Sequence, residues 1–190
     1  MKPLIYVDLE ILAGDPDGEA MSAPVLAGAA LEVLHGAFRR QPGRYALALP
    51  GVLMEEARIQ NWTLRVVAGS RDDLDALVAA VADHAVVRDY ARLGYPRLVP
   101  EAFSGPWIEY RRYRIPAQRS LRKPADTLRE RRMEAAHEQK LPFFQTRSRS
   151  NEQFFRLFVQ ALEGTSGGAA CQPDSYGLSV SSRPFAVPRL

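Results

Sequence analysis

The first half of the chain alternates between strand-like and helix-like patterns of hydrophobic residues. Four short runs rich in aliphatic and aromatic side chains predict β-strands, at residues 4–11, 45–49, 62–68 and 85–90. Two longer segments, residues 21–40 and 72–83, place apolar residues at helical spacing, with Ser22 and Ser70 near their starts as capping residues. The predicted order is strand, helix, strand, strand, helix, strand, which is the order of the ferredoxin-like split βαβ fold.

The second half has a different pattern. A strand-like segment with several basic residues covers 107–115. A helix is expected from Pro124 to about Gln139, because proline suits the first turn of a helix. Residues 146–160, TRSRSNEQFFRLFVQ, run from small and cationic residues into a strand whose alternate side chains, from Phe155 to Val159, share one face.

Together the patterns predict an α+β protein. We expect an N-terminal ferredoxin-like (RRM-like) domain at residues 1–93 and a linker at 94–106, which contains Gly94, Pro96 and Pro100. The C-terminal region, residues 107–190, is expected to be an α+β unit with an arginine-rich helix and a β-hairpin. The ferredoxin-like fold hosts many functions, so it does not assign one by itself.

The charge is unevenly distributed along the chain. The hydrophobic content of 46% with 25% charged residues is typical of a globular protein. Residues 1–107 carry 10 Lys/Arg and 14 Asp/Glu, whereas residues 108–150 carry 12 Lys/Arg and 5 Asp/Glu. Such a basic stretch beside an acidic body favours a phosphate-binding site over a merely solvated charged face.

Several classes of site have no support in the sequence. The single cysteine, Cys171, cannot form an intrachain disulfide, and no Cys/His cluster has metal-ligand spacing. No P-loop, dinucleotide fingerprint or GxSxG motif is present, so we expect no metal and no cofactor. The start lacks a signal-peptide pattern, and the longest apolar run, residues 76–82, is too short to span a membrane. We expect a cytoplasmic protein without membrane contact.

Nucleic-acid binding and metal-free RNA cleavage fit the residues that remain. Arg129 and Arg132 lie three apart on one face of the predicted helix, where they can contact phosphates. A histidine can accept the proton of a ribose 2′-OH, and the chain has three histidines: His35, His84 and His137. The residues alone leave open an RNA-cleaving enzyme, a non-cleaving RNA-binding subunit and a DNA-binding or structural protein.

The C-terminal sequence resembles a known family. The segments that carry the resemblance are FFQTRSRSNEQFFRLFV (143–159), SYGLS (175–179), FAVPRL (185–190), LEVLHGAF (31–38), YRRYR (110–114) and KPADTLRERRM (123–133). Their order and motifs are similar to those of the type I-F CRISPR endoribonuclease that processes CRISPR RNA precursors. The combination of R-S-x-S, F-R-L-F and YGLS is the most specific part, and the resemblance covers nearly the whole chain.

The resemblance implies a definite activity. Enzymes of this family bind the hairpin of the CRISPR repeat and cut the RNA at its 3′ base without a metal. They leave a 5′-OH and a 2′,3′-cyclic phosphate, and they remain on the product with the other subunits of a type I-F interference complex. The implied partners are therefore the repeat hairpin and those subunits.

The resemblance also implies roles for individual residues. His35 matches the general base, Ser148 the serine that holds the 2′-OH, and Tyr176 the tyrosine that helps to position the histidine. Phe155 matches the phenylalanine that stacks below the hairpin, and Arg112 matches the arginine that reads a guanine near the stem base. The complete set of expected RNA-binding residues is Arg112, Arg114, Arg119, Arg122, Lys123, Arg129, Arg132, Arg147, Ser150 and Phe155.

The sequence departs from the family pattern near the base-reading arginine. Arg114 stands where the family often has glutamine, and residues 115–122 have no clear counterpart. Since glutamine suits adenine and arginine suits guanine, we expect an altered hairpin preference with the cleavage chemistry retained.

Overall fold

The computed structural model describes residues 1–12, 21–53, 58–59, 61–116, 126–147, 153–164 and 170–190. Its N-terminal half contains an antiparallel sheet in the order β2-β5-β1-β6. The strands are β1 (Ile5–Ile11), β2 (Tyr45–Ala48), β3 (Val52–Leu53), β4 (Arg58–Ile59), β5 (Thr63–Ala68), β6 (Ala91–Leu93) and β7 (Arg97–Leu98). β7 pairs with β1, and β3 and β4 form a separate two-stranded ladder. The four-strand order is that of the ferredoxin-like fold, as predicted.

Three helices accompany this sheet: α1 (Ala23–Arg40), α2 (Arg71–Val81) and α3 (Ala85–Tyr90). Ser70 caps α2 as expected, because its hydroxyl accepts a hydrogen bond from the Asp73 N–H at 3.2 Å. Ser22 stands at the N-cap of α1 without a side-chain capping bond, and a proline follows in the first turn.

The predicted strand at residues 85–90 is wrong. These residues form α3, and the fourth strand of the fold is β6, directly after it. The imidazole of His84 accepts a hydrogen bond from the Val86 N–H and so starts the helix. A short apolar run does not distinguish a strand from a helical turn, and here the cap and the burial of Val87 favour the helix.

The C-terminal half forms a second antiparallel sheet, in the order β11-β8-β10-β9. The strands of this sheet are β8 (Trp107–Tyr113), β9 (Phe143–Arg147), β10 (Phe154–Gly164) and β11 (Val187–Pro188), and the helix of this half is α4 (Asp126–Glu138). The segment 146–160, expected as one strand, contributes to two strands of a hairpin, with Thr146 opposite Phe155. The arginine-bearing helix and the hairpin are both present, which confirms the predicted α+β class.

The two halves share one hydrophobic core. It includes Leu31 and Leu34 of α1 together with Ile108, Phe144 and Leu157 of the second sheet. α1 approaches β9 so closely that a Cβ atom on Gly28 would overlap the carbonyl oxygen of Gln145. This contact places α1 directly against β9. The division at residues 94–106 stays a prediction, and β7 lies within that segment.

Candidate active site and nucleic-acid interface

His35 and Tyr176 lie in contact although they come from opposite ends of the chain. Their rings are stacked, with centroids 4.1 Å apart and an angle of 14° between the planes. His35 is presented by α1, near the end of that helix, and Tyr176 by the C-terminal tail. Stacking on a flat aromatic ring restricts the rotation of the imidazole, so the arrangement orients a group that can move a proton.

A tight turn holds Tyr176 in this place. One carboxylate oxygen of Asp174, Oδ1, accepts hydrogen bonds from the N–H groups of Tyr176 and Leu178, at 2.8 and 3.1 Å. Gly177 has a φ of 79°, a left-handed conformation that favours glycine. The Gly177 carbonyl accepts a hydrogen bond from the Leu47 N–H at 2.7 Å, which fixes the turn to β2.

Arg112 completes this cluster from β8. The central carbon of its guanidinium lies 5.1 Å from the Tyr176 ring centroid, a cation–π distance. Its Nη1 lies 3.6 Å from Oδ2 of Asp174. That oxygen is buried and accepts no hydrogen bond from the residues that the structure describes, so the guanidinium is its nearest compensating charge.

The neighbouring Arg111 has a different environment. Its guanidinium donates two hydrogen bonds to Glu109, at 2.7 and 2.8 Å, and this hydrogen bonding raises its pKa. Glu109 is buried and also accepts a hydrogen bond from the Ser179 hydroxyl at 2.6 Å. Since successive strand residues point to opposite faces, Arg111 supports the tail while Arg112 reaches the His35–Tyr176 pair.

Two arginines of α4 hold the chain that leaves β8. Arg129 donates a hydrogen bond to the carbonyl oxygen of Pro116 at 2.8 Å, and Arg132 donates one to that of Arg114 at 2.7 Å. The Arg132 guanidinium also lies 5.6 Å from the Tyr113 ring centroid. These arginines therefore anchor the helix to its neighbouring segment with one nitrogen each, in addition to carrying charge on its surface.

Open cavities lie beside this arrangement. The first, of about 540 Å³, is lined by Arg112, Ile115, Arg129, Met133, Gln145, Phe154, Phe155 and Arg156. The second, of about 450 Å³, is lined by Arg111, Arg112, Tyr113, Arg114, Arg132, Gln160, Val180, Ser181, Ser182 and Arg183. Neither lining contains an acidic side chain among the described residues, and the first combines cations with aromatic rings. Such walls suit a nucleic acid, whose phosphates and bases need both.

The structure brings several of the expected site residues together. His35, Tyr176 and Arg112 form one cluster. Phe155 and Arg129 line the first cavity together with Arg112. Arg114 and Arg132 line the second cavity. Arg147 ends β9. The other expected residues lie outside the described part of the chain: Ser148, Ser150, Arg119, Arg122 and Lys123. The described residues contain no group of three or more metal-ligating side chains.

Two carboxylates near the site were not found from the sequence. Asp174 supports the tail turn and faces Arg112, as described above. Glu32 of α1 accepts hydrogen bonds through Oε1 from the Thr146 hydroxyl, at 2.5 Å, and from the Arg147 N–H. The only sequence signal for Glu32 is its position one helical turn before His35.

The comparisons with known proteins give a match at the level of the family. No described helix is long and apolar enough to cross a membrane. None of the curated proteins matches this chain. The family model described as CRISPR-associated protein (Cas_Csy4) matches residues 6–189, nearly the whole chain. The chain therefore belongs to this family of CRISPR-associated endoribonucleases, which bind CRISPR RNA repeats and process them.

Proposed function

We propose that the protein is a metal-independent endoribonuclease that cuts the CRISPR repeat hairpin at its 3′ base. The stacked His35–Tyr176 pair is the observation that carries the proposal, because it orients a proton acceptor beside cationic walls. In this reaction the nucleophile is the substrate's own 2′-OH, so the protein need only remove a proton and hold the phosphate in line.

The proposed step begins when His35 takes the proton of the 2′-OH. The 2′-oxygen forms a bond to the adjacent phosphorus, and the bond from phosphorus to the 5′-oxygen breaks. The 5′-oxygen takes a proton from water and leaves as a hydroxyl. The products are a 2′,3′-cyclic phosphate and a 5′-OH end. Ser148 is proposed to hold the 2′-OH, on the basis of its place in the R-S-x-S motif.

RNA binding is assigned to the basic face around the cluster. Arg112 is proposed to read a guanine near the stem base, since it lies beside both Tyr176 and the first cavity. The exposed ring of Phe154 and the partly buried ring of Phe155 line the first cavity and offer stacking surfaces for a base at the end of the stem. The expected contacts of Arg119, Arg122, Lys123 and Ser150 are proposed from the sequence pattern alone.

We further propose that the protein stays on its product within a type I-F interference complex.

The test is incubation of the protein with an RNA repeat hairpin in EDTA, followed by mass analysis of the product ends. The proposal predicts one cut at the 3′ base of the stem, with a cyclic phosphate on the upstream product. His35→Ala should abolish the cut and keep hairpin binding. His84→Ala is the matched control, because His84 only caps α3, and it should cut at the wild-type rate.

Other outcomes separate the alternatives. Tight hairpin binding without any cut, across a panel of repeats, would leave a non-cleaving RNA-binding subunit. Cleavage by His35→Ala at the wild-type rate would remove His35 as the base. Activity that EDTA abolishes and a divalent cation restores would contradict the metal-independent step.

A further inference from the structure

We propose that Glu32 is a positioning residue for RNA cleavage, which fixes the end of β9 against the turn of α1 that precedes His35. The inference rests on the proposed function and adds a residue to it. It concerns how the protein sets the position of β9, whose last residue is Arg147, relative to the histidine on α1.

The geometry starts with one carboxylate oxygen. Oε1 of Glu32 accepts two hydrogen bonds, one from the Thr146 hydroxyl at 2.5 Å and one from the Arg147 N–H. Thr146 is 1% exposed, so its hydroxyl needs a partner inside the protein. The two donors belong to consecutive residues, which fixes both the position and the direction of the strand end.

The sheet topology explains why this contact is needed. β9 is the edge strand of its sheet and pairs with β10 on one side only. Edge strands leave backbone N–H groups without a strand partner, and a side chain from a neighbouring element can accept their hydrogen bonds. Glu32 supplies an acceptor from the helix at the last residue of β9, Arg147. The next residue in the chain is Ser148.

The helix contacts β9 in register. Gly28 and Glu32 are four residues apart and therefore share one face of α1. Gly28 meets the carbonyl oxygen of Gln145, and Glu32 meets the next two residues of the strand. His35 follows three residues after Glu32 and so lies one turn further along the same helix. The bonds of Glu32 thus set the position of β9 relative to His35.

This role differs from a catalytic one. The oxygen of Glu32 is directed at two protein donors, and the residue acts through the strand that it holds. An error of about 1 Å in the position of reacting groups can cost roughly 100-fold in rate, so loss of the contact should be visible in kinetics. A glutamine at this position keeps an oxygen that can accept both hydrogen bonds and removes the charge.

The test compares Glu32→Ala and Glu32→Gln in the full chain, using an RNA repeat hairpin that the wild-type protein cuts. Three quantities are measured: the single-turnover cleavage rate, the Kd of the uncut hairpin and the melting temperature. We expect Glu32→Ala to lower the rate by about 10- to 100-fold with a hairpin Kd within about threefold of wild type. Glu32→Gln should recover most of the rate. Asp75→Ala, which breaks an exposed ion pair with Arg71 on α2, is the control and should match the wild type.

Each other result has a definite meaning. If the wild type cuts and Glu32→Ala cuts equally fast, the positioning role is wrong and the proposed function stands. If the rate falls only in proportion to lost folding or lost binding, or if Glu32→Gln is as slow as Glu32→Ala, the role in positioning is also wrong. If the wild type cuts no hairpin at all, the proposed function fails and this inference fails with it.

Discussion

The imidazole of His35 lies nearly parallel to the phenol ring of Tyr176, with the ring centroids 4.1 Å apart. This relationship joins the first helix of the ferredoxin-like half to the C-terminal tail. The turn from Asp174 to Leu178 holds Tyr176 in place, and the packing of α1 against β9 holds the helix that carries His35. The aromatic face of Tyr176 is therefore an element that orients the proposed base.

Substitution of Tyr176 tests this orientation. Tyr176→Phe keeps the ring and should retain most of the cleavage rate, whereas Tyr176→Ala should lower it by at least about tenfold, because the imidazole loses its stacking partner. The measurement is the single-turnover cleavage rate on a repeat hairpin, with the hairpin Kd as control. Equal rates for the Phe and Ala variants would show that the ring does not orient His35.

Substitution of Arg112 tests base recognition. Arg112→Ala should weaken hairpin binding, and the variant should lose discrimination between guanine and adenine near the stem base, worth about 1–3 kcal/mol. Arg112→Lys should not restore it, since lysine lacks the bidentate fork. The measurement is hairpin affinity at one fixed salt concentration, with Arg88→Ala on α3 as control. A variant without Arg112 that still prefers guanine would refute the assignment.

Gly28→Ala tests the contact between α1 and β9. In an open helix this change is stabilising by roughly 1 kcal/mol, because alanine has the higher helix propensity. Here the new Cβ would overlap the carbonyl oxygen of Gln145, which belongs to the strand backbone. We expect a net loss of about 1–3 kcal/mol in the free energy of unfolding, measured by urea denaturation. An increase in stability would contradict the close approach.

Burial of Tyr110 predicts a loss of stability at alkaline pH. Desolvation raises the pKa of its phenol to about 12, above the value near 10 of an unfolded chain. The folded state therefore favours the neutral phenol. Its contribution is complete below pH 10 and is lost as the pH rises from about 10 to 12. Burial also raises the pKa values of Tyr45 and Cys171, which act in the same direction.

The experiment compares Tyr110→Phe with the wild type by urea denaturation at pH 8, 10 and 11. The variant should show the smaller decline of unfolding free energy with pH. Tyr95→Phe is the matched control, since that ring is 88% exposed, and it should keep the wild-type dependence. Identical slopes for Tyr110→Phe and the wild type would contradict the buried phenol.

Local signals in the sequence were sufficient for most of the fold. Alternation, helical spacing and the Ser70 cap predicted the ferredoxin-like order, because these patterns act over a few residues. α3 was missed because residues 85–90 have a strand-like composition and form fewer than two helical turns. The separation of β9 from β10 was missed because the alternation from Phe155 to Val159 predicts one strand and does not show that residues 143–147 form the strand that pairs with it.

The residues of the candidate site also fall into some that the sequence predicted and some that it did not. His35, Tyr176 and Arg112 were expected through the family motifs, and the structure places Tyr176 in contact with both of the others. Glu32 and Asp174 were not expected, because a carboxylate on a helix or in a loop looks like any solvated acidic residue. Their importance depends on partners far away in the chain, which only the folded structure brings near.

The most direct test of the central claim uses a repeat hairpin with a single 2′-deoxy nucleotide on the 5′ side of the cut. If the ribose oxygen is the nucleophile, the wild-type protein should bind this RNA with unchanged Kd and leave it intact in EDTA. A hairpin with the deoxy nucleotide one position further upstream should be cut normally. Cleavage of the first substrate at the rate of the all-ribose hairpin would contradict the account.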